Sequence, residues 1–272
     1  MTCMIMAKIF ESNTVGENQD AINMAISRVG TNGIVHLPCG VFNLGVFVFQ
    51  SGYVELRGCA QSALVSSRDA LAGGTVLLGG IDMNIQDVIT VRSLGVDVLN
   101  SPSGGAGLGF DAIRSGGQRR DVPQYARIIN VTTLIPFGNN TGHGAVFTSG
   151  GGNKLRSTVH YGGAHGFAFR GSNNIATNVF VDSPSSSIAT IKSIDAAGDA
   201  ENNRIIDLFG INGKIALESH GNTINQNNYV RATVQNPTDG DGDGIRYATL
   251  PTAVSGGIVG TLGQNDVQVA TI

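Results

Sequence analysis

Residues 142–183 read GHGAVFTSGGGNKLRSTVHYGGAHGFAFRGSNNIATNVFVDS. The stretch gives the same pattern twice: His-Gly, a few apolar residues, a Gly/Asn-rich turn, then a β-rich run. Laying His143–Phe147 over His165–Phe169 gives a step of about 22 residues, a period that marks a coil stacking on itself. Ser187–Ile191 and Gly213–Leu217 continue the series, the last after a slightly longer step. In each turn two apolar positions lie two apart, as one face of a strand requires: Ala145/Phe147, Phe167/Phe169, Ala189/Ile191 and Ile215/Leu217. These pairs are expected to stack as core columns of an all-β, single-stranded parallel β-helix.

A polar column runs beside them. Asn130, Thr158, Asn178, Asp207 and Asn227 fall at similar places near a turn, where short polar side chains bond the next coil and tolerate left-handed backbone. Asn153, Asn174, Asn203 and Asn222 are read as structural turn residues too.

Composition agrees with a folded, frequently turning chain. Of 272 residues 39 are glycine, about twice the usual share, and 41% are hydrophobic. A net charge of −3 with no Lys/Arg run gives no electrostatic footprint for nucleic acid. No stretch approaches the roughly 20 apolar residues of a membrane helix, and MTCMIMAKIF lacks the basic start and cleavage site of a secretion signal. Cys3, Cys39 and Cys59 have no metal-type spacing and are expected to be buried thiols.

One segment has helical periodicity: Ile22, Ala25, Ile26 and Val29 recur after Asn18, which is expected to cap the start, with Gly30 at the end. Short strands follow at Ile34–Leu37, Val46–Phe49, Tyr53–Leu56, Thr75–Leu78 and Val88–Val91. The segment ENQDAINMAISRVGTNGIVHLPCGVFNL, with Ala21-Ile22, Ala25-Ile26, Gly33 and Leu37-Pro38-Cys39-Gly40-Val41-Phe42, resembles the opening of the pectate-lyase-like right-handed β-helices. That group includes phage tailspikes and polygalacturonase-like proteins; it usually has two aspartates where this chain has Glu17-Asn18. The resemblance implies a right-handed solenoid whose N-terminal end is capped by the helix. Residues 1–30 are then the leading segment and cap, 31–244 the β-helix, and 245–272 a C-terminal cap or oligomerisation tail.

The fold hosts hydrolases, lyases, epimerases and fibres, so function must be argued from a site. By strand parity Val146, Ala168, Thr190 and Ala216 point outward beside Thr148, Arg170, Lys192 and Glu218. Small residues next to charged ones suggest a shallow axial groove for an extended polymer. Arg170 and Lys192 are candidates to hold carboxylates or sulfates of an acidic glycan, and Lys192 to act as base in a β-elimination. A solvated charge ladder is the other reading of the same column. His165, Thr190 and Glu218 are further candidates for substrate binding.

Gly142-His143-Gly144 resembles the Gly-His-Gly motif of polygalacturonases, and Ile191-Lys192 is similar to part of their Arg-Ile-Lys, which makes His143 a catalytic candidate. That group also carries Asn-Thr-Asp and Asp-Asp upstream, since glycoside hydrolysis wants two carboxyl groups. Neither occurs before His143, where Asp111 and Asp121 stand isolated; Asp182 comes too late in the chain. By parity His143 and His165 lean inward, and their recurrence reads chiefly as a repeat signature; a metal site with a carboxylate is the alternative. The run Asp239-Gly-Asp-Gly-Asp-Gly244 offers Asp239, Asp241 and Asp243 to Ca²⁺, but the position for the closing Glu is Leu250.

Two readings of function lead. One is a tailspike-like protein of a virion surface or appendage, a homotrimer as tailspikes commonly are, that binds a host-surface polysaccharide and cleaves it as a lyase or glycoside hydrolase. The other is a non-catalytic structural, decoration or adhesion protein of a virion; a secreted or cell-surface adhesin is a third reading.

Overall fold

A computed structural model describes residues 2–83, 88–102, 110–115, 125–139, 141–147, 151–192, 203–213, 215–218, 229–235, 245–247 and 270–271. The described residues are all-β with one helix, and most of their strands form a large, mainly parallel sheet consistent with a parallel β-helix. Two parallel ladders alternate along the sequence. The first runs Met4–Met6, Gly33–His36, Val54–Arg57, Ile89–Asp97, Ala126–Leu134, Lys154–Tyr161, Ile175–Asp182, Arg204–Ile211 and Tyr229–Gln235. The second runs Gly40–Val48, Thr75–Met83, Ile113–Ser115, His143–Phe147, His165–Phe169, Ser187–Lys192, Ile215–Glu218 and Ile245–Tyr247. Each coil gives one strand to each ladder, so neighbours in space are a full coil apart in sequence.

The core columns stack in the expected register: Ala145 opposite Phe167, then Ala189, then Ile215. Phe147, Phe167 and Phe169 are fully buried, and Phe167 meets Phe169 edge-on at 5.4 Å. Strands of the first ladder bend where Ser93, Asn130, Ser157, Asn178 and Asp207 take φ between 52° and 56°. This is the expected polar column with one change, because Ser157 and not Thr158 holds the left-handed position; Thr158 is buried and turned to His160. Short polar residues suit this conformation because a local hydrogen bond offsets the crowding of Cβ. Asn227 lies outside the described residues.

Asn153, Asn174 and Asn203 are fully buried and form a ladder from coil to coil. The amide N–H groups of Asn153 and Asn174 donate to the side-chain oxygens of Asn174 and Asn203, and Asn153 itself accepts from Ala126 N–H. Their role is structural: each satisfies backbone donors that the turn would otherwise bury unpaired. Asn222 lies outside the described residues.

The helix spans Val15–Val29 and ends at Gly30, as expected, but it begins earlier than Asn18. Thr14 is the cap: its hydroxyl accepts from Glu17 N–H while the Glu17 carboxylate accepts from Thr14 N–H, a reciprocal capping box. Asn18 is instead buried within the first turn, donating to the carbonyls of Phe10 and Asn43. Ile22, Ala25, Ile26 and Val29 join the main core, and the helix packs on Met4–Met6, Gly33–His36 and Gly40–Val48.

The expectation of buried thiols fails for all three cysteines. Cys39 and Cys59 form a disulfide with Cα atoms 5.4 Å apart, and Cys3 is exposed. Each bonded cysteine follows one of two paired strands, Gly33–His36 and Val54–Arg57, so coil stacking brings the pair into bonding range.

His160 is buried among hydroxyls, its Nδ1 2.8 Å from Thr133 Oγ1 and its Nε2 3.1 Å from Thr158 Oγ1. Burial drives its pKa from the ordinary 6.5 down to about 3. The unfolded chain therefore takes up a proton that the folded chain refuses between these values. Stability should be flat in this respect above pH 6.5 and fall as the pH drops toward 3, by about 1 kcal/mol per pH unit. Melting temperatures of the wild type and His160→Gln from neutral to acid pH check this: the variant should lose part of the acid slope, and parallel curves would refute the assignment.

Candidate active site

Four successive coils of the second ladder open with a polar residue. Asp111, His143, His165 and Ser187 follow one another on successive coils, His143 opposite His165 and His165 opposite Ser187. The Asp111 carboxylate accepts from His143 N–H at 2.9 Å and lies 2.8 Å from its Nδ1. An acceptor at Nδ1 makes that nitrogen the proton carrier, which leaves Nε2 of the neutral ring free to take a proton. The His143 and His165 rings stack at 4.7 Å. His165 Nδ1 bonds Ser187 Oγ, which lies 2.9 Å from Thr190 Oγ1.

These histidines face outward, contrary to the parity expectation. A Cβ on Gly144 would run into His160 and the Gly166 carbonyl, so Gly144 faces inward, and so does Ala145 in the core. Two consecutive inward residues shift the alternation by one and put His143 on the same side as Val146. Only Gly fits at 144, which accounts for the His-Gly pairing in the sequence.

Three residues further along the strands, Asp82 stands opposite Arg114, and Arg114 opposite Val146. Asp82 Oδ1 is buried without a hydrogen-bond partner. Burial holds this carboxyl above the usual carboxylate range; the Arg114 guanidinium opposes the shift and the Asp111 charge adds to it. Register thus puts Asp82 and Arg114 on the same side of the second ladder as Asp111 and His143, whose side chains are 14% and 13% exposed. Asp111 is therefore not isolated as its sequence surroundings suggest, and Asp82 and Arg114 were not foreseen. The coils from Ile81 to Ile113 and from Ile113 to Ala145 are longer than those that follow, which hides the repeat in this part of the chain.

Of the residues expected to form a groove, Val146, Ala168 and Thr190 occupy one column as read, but all three are buried and the first two lie outside the main core. Outward does not mean exposed at these positions, so no open groove of small residues forms there. His165 and Thr190 do come together, with Thr190 Oγ1 3.4 Å from His165 Nδ1. Arg170 follows the strand His165–Phe169, its N–H donating to the Phe147 carbonyl and its Nε buried without a hydrogen-bond partner. Register sets Lys192 opposite Glu218, and for these two only the backbone is described. Thr148, Asp239, Asp241 and Asp243 lie outside the described residues. Among the described residues no three His, Cys, Asp or Glu side chains are grouped to hold a metal ion, and no helix is long and apolar enough to cross a membrane.

No family model matches this chain, and no curated protein matches it. Among solved structures it is similar to ORF18 of Geobacillus virus E2, at 12% identity and a TM-score of 0.39 over 85% of this chain and 61% of that one. It is also similar to two mannuronan C-5 epimerase A-modules of Azotobacter vinelandii. The AlgE6 module gives 14% identity and a TM-score of 0.33, over 89% of this chain and 88% of the module. The AlgE4 module gives 13% and 0.29, over 90% and 88%. At these TM-scores the likenesses carry no argument about family, substrate or reaction. The chain spans about three-fifths of the phage protein's length.

What the patch can do follows from its own chemistry. Burial raises the pKa of the Asp82 carboxyl, the direction that suits a general acid, while Asp111 accepts from His143 and orients its ring. Arg114 adds a fixed positive charge opposite Asp82.

Proposed function

We propose that this chain is a polysaccharide-acting β-helix protein that hydrolyses glycosidic bonds at Asp82, Asp111 and His143. One observation carries the reading: Asp82 Oδ1 is buried without a hydrogen-bond partner, burial raises the pKa of that carboxyl, and Asp111 on the next coil is engaged by His143. Asp82 gives its proton to the glycosidic oxygen as the bond to the anomeric carbon breaks. A water molecule adds to that carbon and passes its proton to His143 Nε2, with Asp111 steadying the imidazolium. Solvent then reprotonates Asp82 and deprotonates His143. Arg114 offers a charge to an anionic substituent of the sugar.

The finer features come from the resemblance to tailspike-like proteins: a right-handed coil with the helix Val15–Val29 as its N-terminal cap, a C-terminal tail from residue 245, a homotrimer, and a place on a virion surface or appendage. Support for the cap is the burial of Ile22, Ala25, Ile26 and Val29 against the first strands. The lyase chemistry assigned to Lys192 and Arg170 is the competing mechanism.

A depolymerisation screen against acidic and neutral polysaccharides tests the reading, with reducing ends and unsaturated-uronate absorbance read together. Reducing ends without that absorbance are expected. Reducing ends with it would replace hydrolysis by β-elimination, and a folded protein that releases nothing across a broad panel would overturn the enzyme reading in favour of a structural or binding role.

A further inference from the structure

The outer face of the first ladder carries a second feature, away from the Asp82 site. Two outward columns run along it in register. One contains Ile34, Glu55, Thr90, Arg127, Lys154, Ile175 and Arg204; the other contains His36, Arg57, Arg92, Ile129, Arg156, Thr177 and Ile206. The two columns thus hold six Arg or Lys side chains against one acid, Glu55, in a chain whose net charge is −3. Glu55 sits at one end, 3.3 Å from Arg92 and also paired with Arg57. Beyond it Arg127, Lys154, Arg156 and Arg204 are all exposed.

We propose that this face binds an anionic polysaccharide lying along the coil axis. From Val54–Arg57 to Arg204–Ile211 the basic side chains span six strands, or about 24 Å at the spacing of a sheet. Four successive strands, Val54–Arg57 to Lys154–Tyr161, each carry a basic side chain in these columns, and Arg204 follows after a strand that carries Ile175 and Thr177, so uronates or sulfates of an extended polymer can meet guanidinium or ammonium groups along the row. Tyr53 and Tyr125, 46% and 42% exposed, flank the starts of two of these strands and offer flat faces to sugar rings. A depression of about 280 Å³ lined by Tyr53, Glu55, Thr90 and Arg127 leaves room for one residue of such a chain. Like charges packed at strand spacing repel each other, and an anionic polymer relieves that repulsion on binding.

The proposal rests on the polysaccharide reading but not on catalysis, so its test measures binding and not turnover. Polygalacturonate, dextran sulfate, neutral dextran and single-stranded DNA are titrated against the full chain at low and high salt. The test is repeated with an Arg127→Gln, Lys154→Gln, Arg156→Gln, Arg204→Gln variant, and with Arg156→Glu alone in case the fourfold variant does not fold. The expected result is binding of an acidic polysaccharide that weakens with salt, roughly ten-fold weaker in the fourfold variant, and no binding of neutral dextran. Unchanged affinity in folded variants, or no binding of either acidic polysaccharide, overturns the proposal, and tighter binding of DNA overturns it in favour of a nucleic-acid surface. Loss of cleavage in an Asp82→Asn protein that still binds would separate this face from the hydrolytic site.

Discussion

Replacing Asp82 with Asn is expected to lower polysaccharide hydrolysis by about 10²- to 10⁴-fold, the range over which a positioned general acid acts, while leaving the protein folded. The amide keeps the shape of the carboxyl but has no proton to give. Asp82 lies opposite Arg114, and its Oδ1 has no hydrogen-bond partner to lose, so the substitution breaks no described hydrogen bond at that atom. The pH profile carries a second signature. Burial raises the Asp82 pKa, so the acid form persists above the usual carboxylate range, and wild-type activity should fall as the pH rises through that raised value. In the Asn variant this limb should vanish from whatever activity remains. A variant of normal turnover, or one that keeps the same alkaline limb, would remove Asp82 from the mechanism.

Phe167→Ala should destabilise the chain by about 3–5 kcal/mol, the usual cost of deleting a buried phenyl ring. Phe167 has no exposed surface, stands between Ala145 and Ala189 in its column, and packs on Phe169 and His160. Its two small column neighbours cannot fill the space, and the strands above and below are held at sheet spacing. A fall in melting temperature on the order of 10 °C is expected for a chain of this size. In a stack where each coil rests on the next, the loss should also loosen adjacent coils. Hydrogen exchange should therefore rise first at Ala145 and Ala189, and a shift of a degree or less in melting temperature would contradict the core assignment.

The later coils were legible in the sequence because apolar pairs two apart recur at nearly equal steps, and stacking turns that recurrence directly into register. The earlier coils were not. Between Ile81 and Ala145 each coil is longer than those after it, so Asp82, Arg114 and Asp111 look like scattered charges in the sequence, although the ladder sets Asp111 beside His143 and Arg114 opposite Asp82. Parity failed for a related reason: Gly144 and Ala145 both face inward, and a single slip in alternation moves the histidine to the other side. The disulfide escaped notice because the closeness of Cys39 and Cys59 comes from strand pairing and not from any motif. Helix periodicity found the apolar stripe correctly but could not tell a cap from a buried amide. Thr14 and Asn18 are both good capping residues, and the reciprocal bond with Glu17 decides between them.

Asp82 and His143, two coils apart along the chain, are proposed to act in one site. Turnover of a cleaved polysaccharide by Asp82→Asn, His143→Ala and the double variant tests it most directly, because residues that serve the same transition state are strongly non-additive. The double variant should be about as slow as the slower single variant. Losses that multiply, or a His143→Ala protein with full activity, would contradict it.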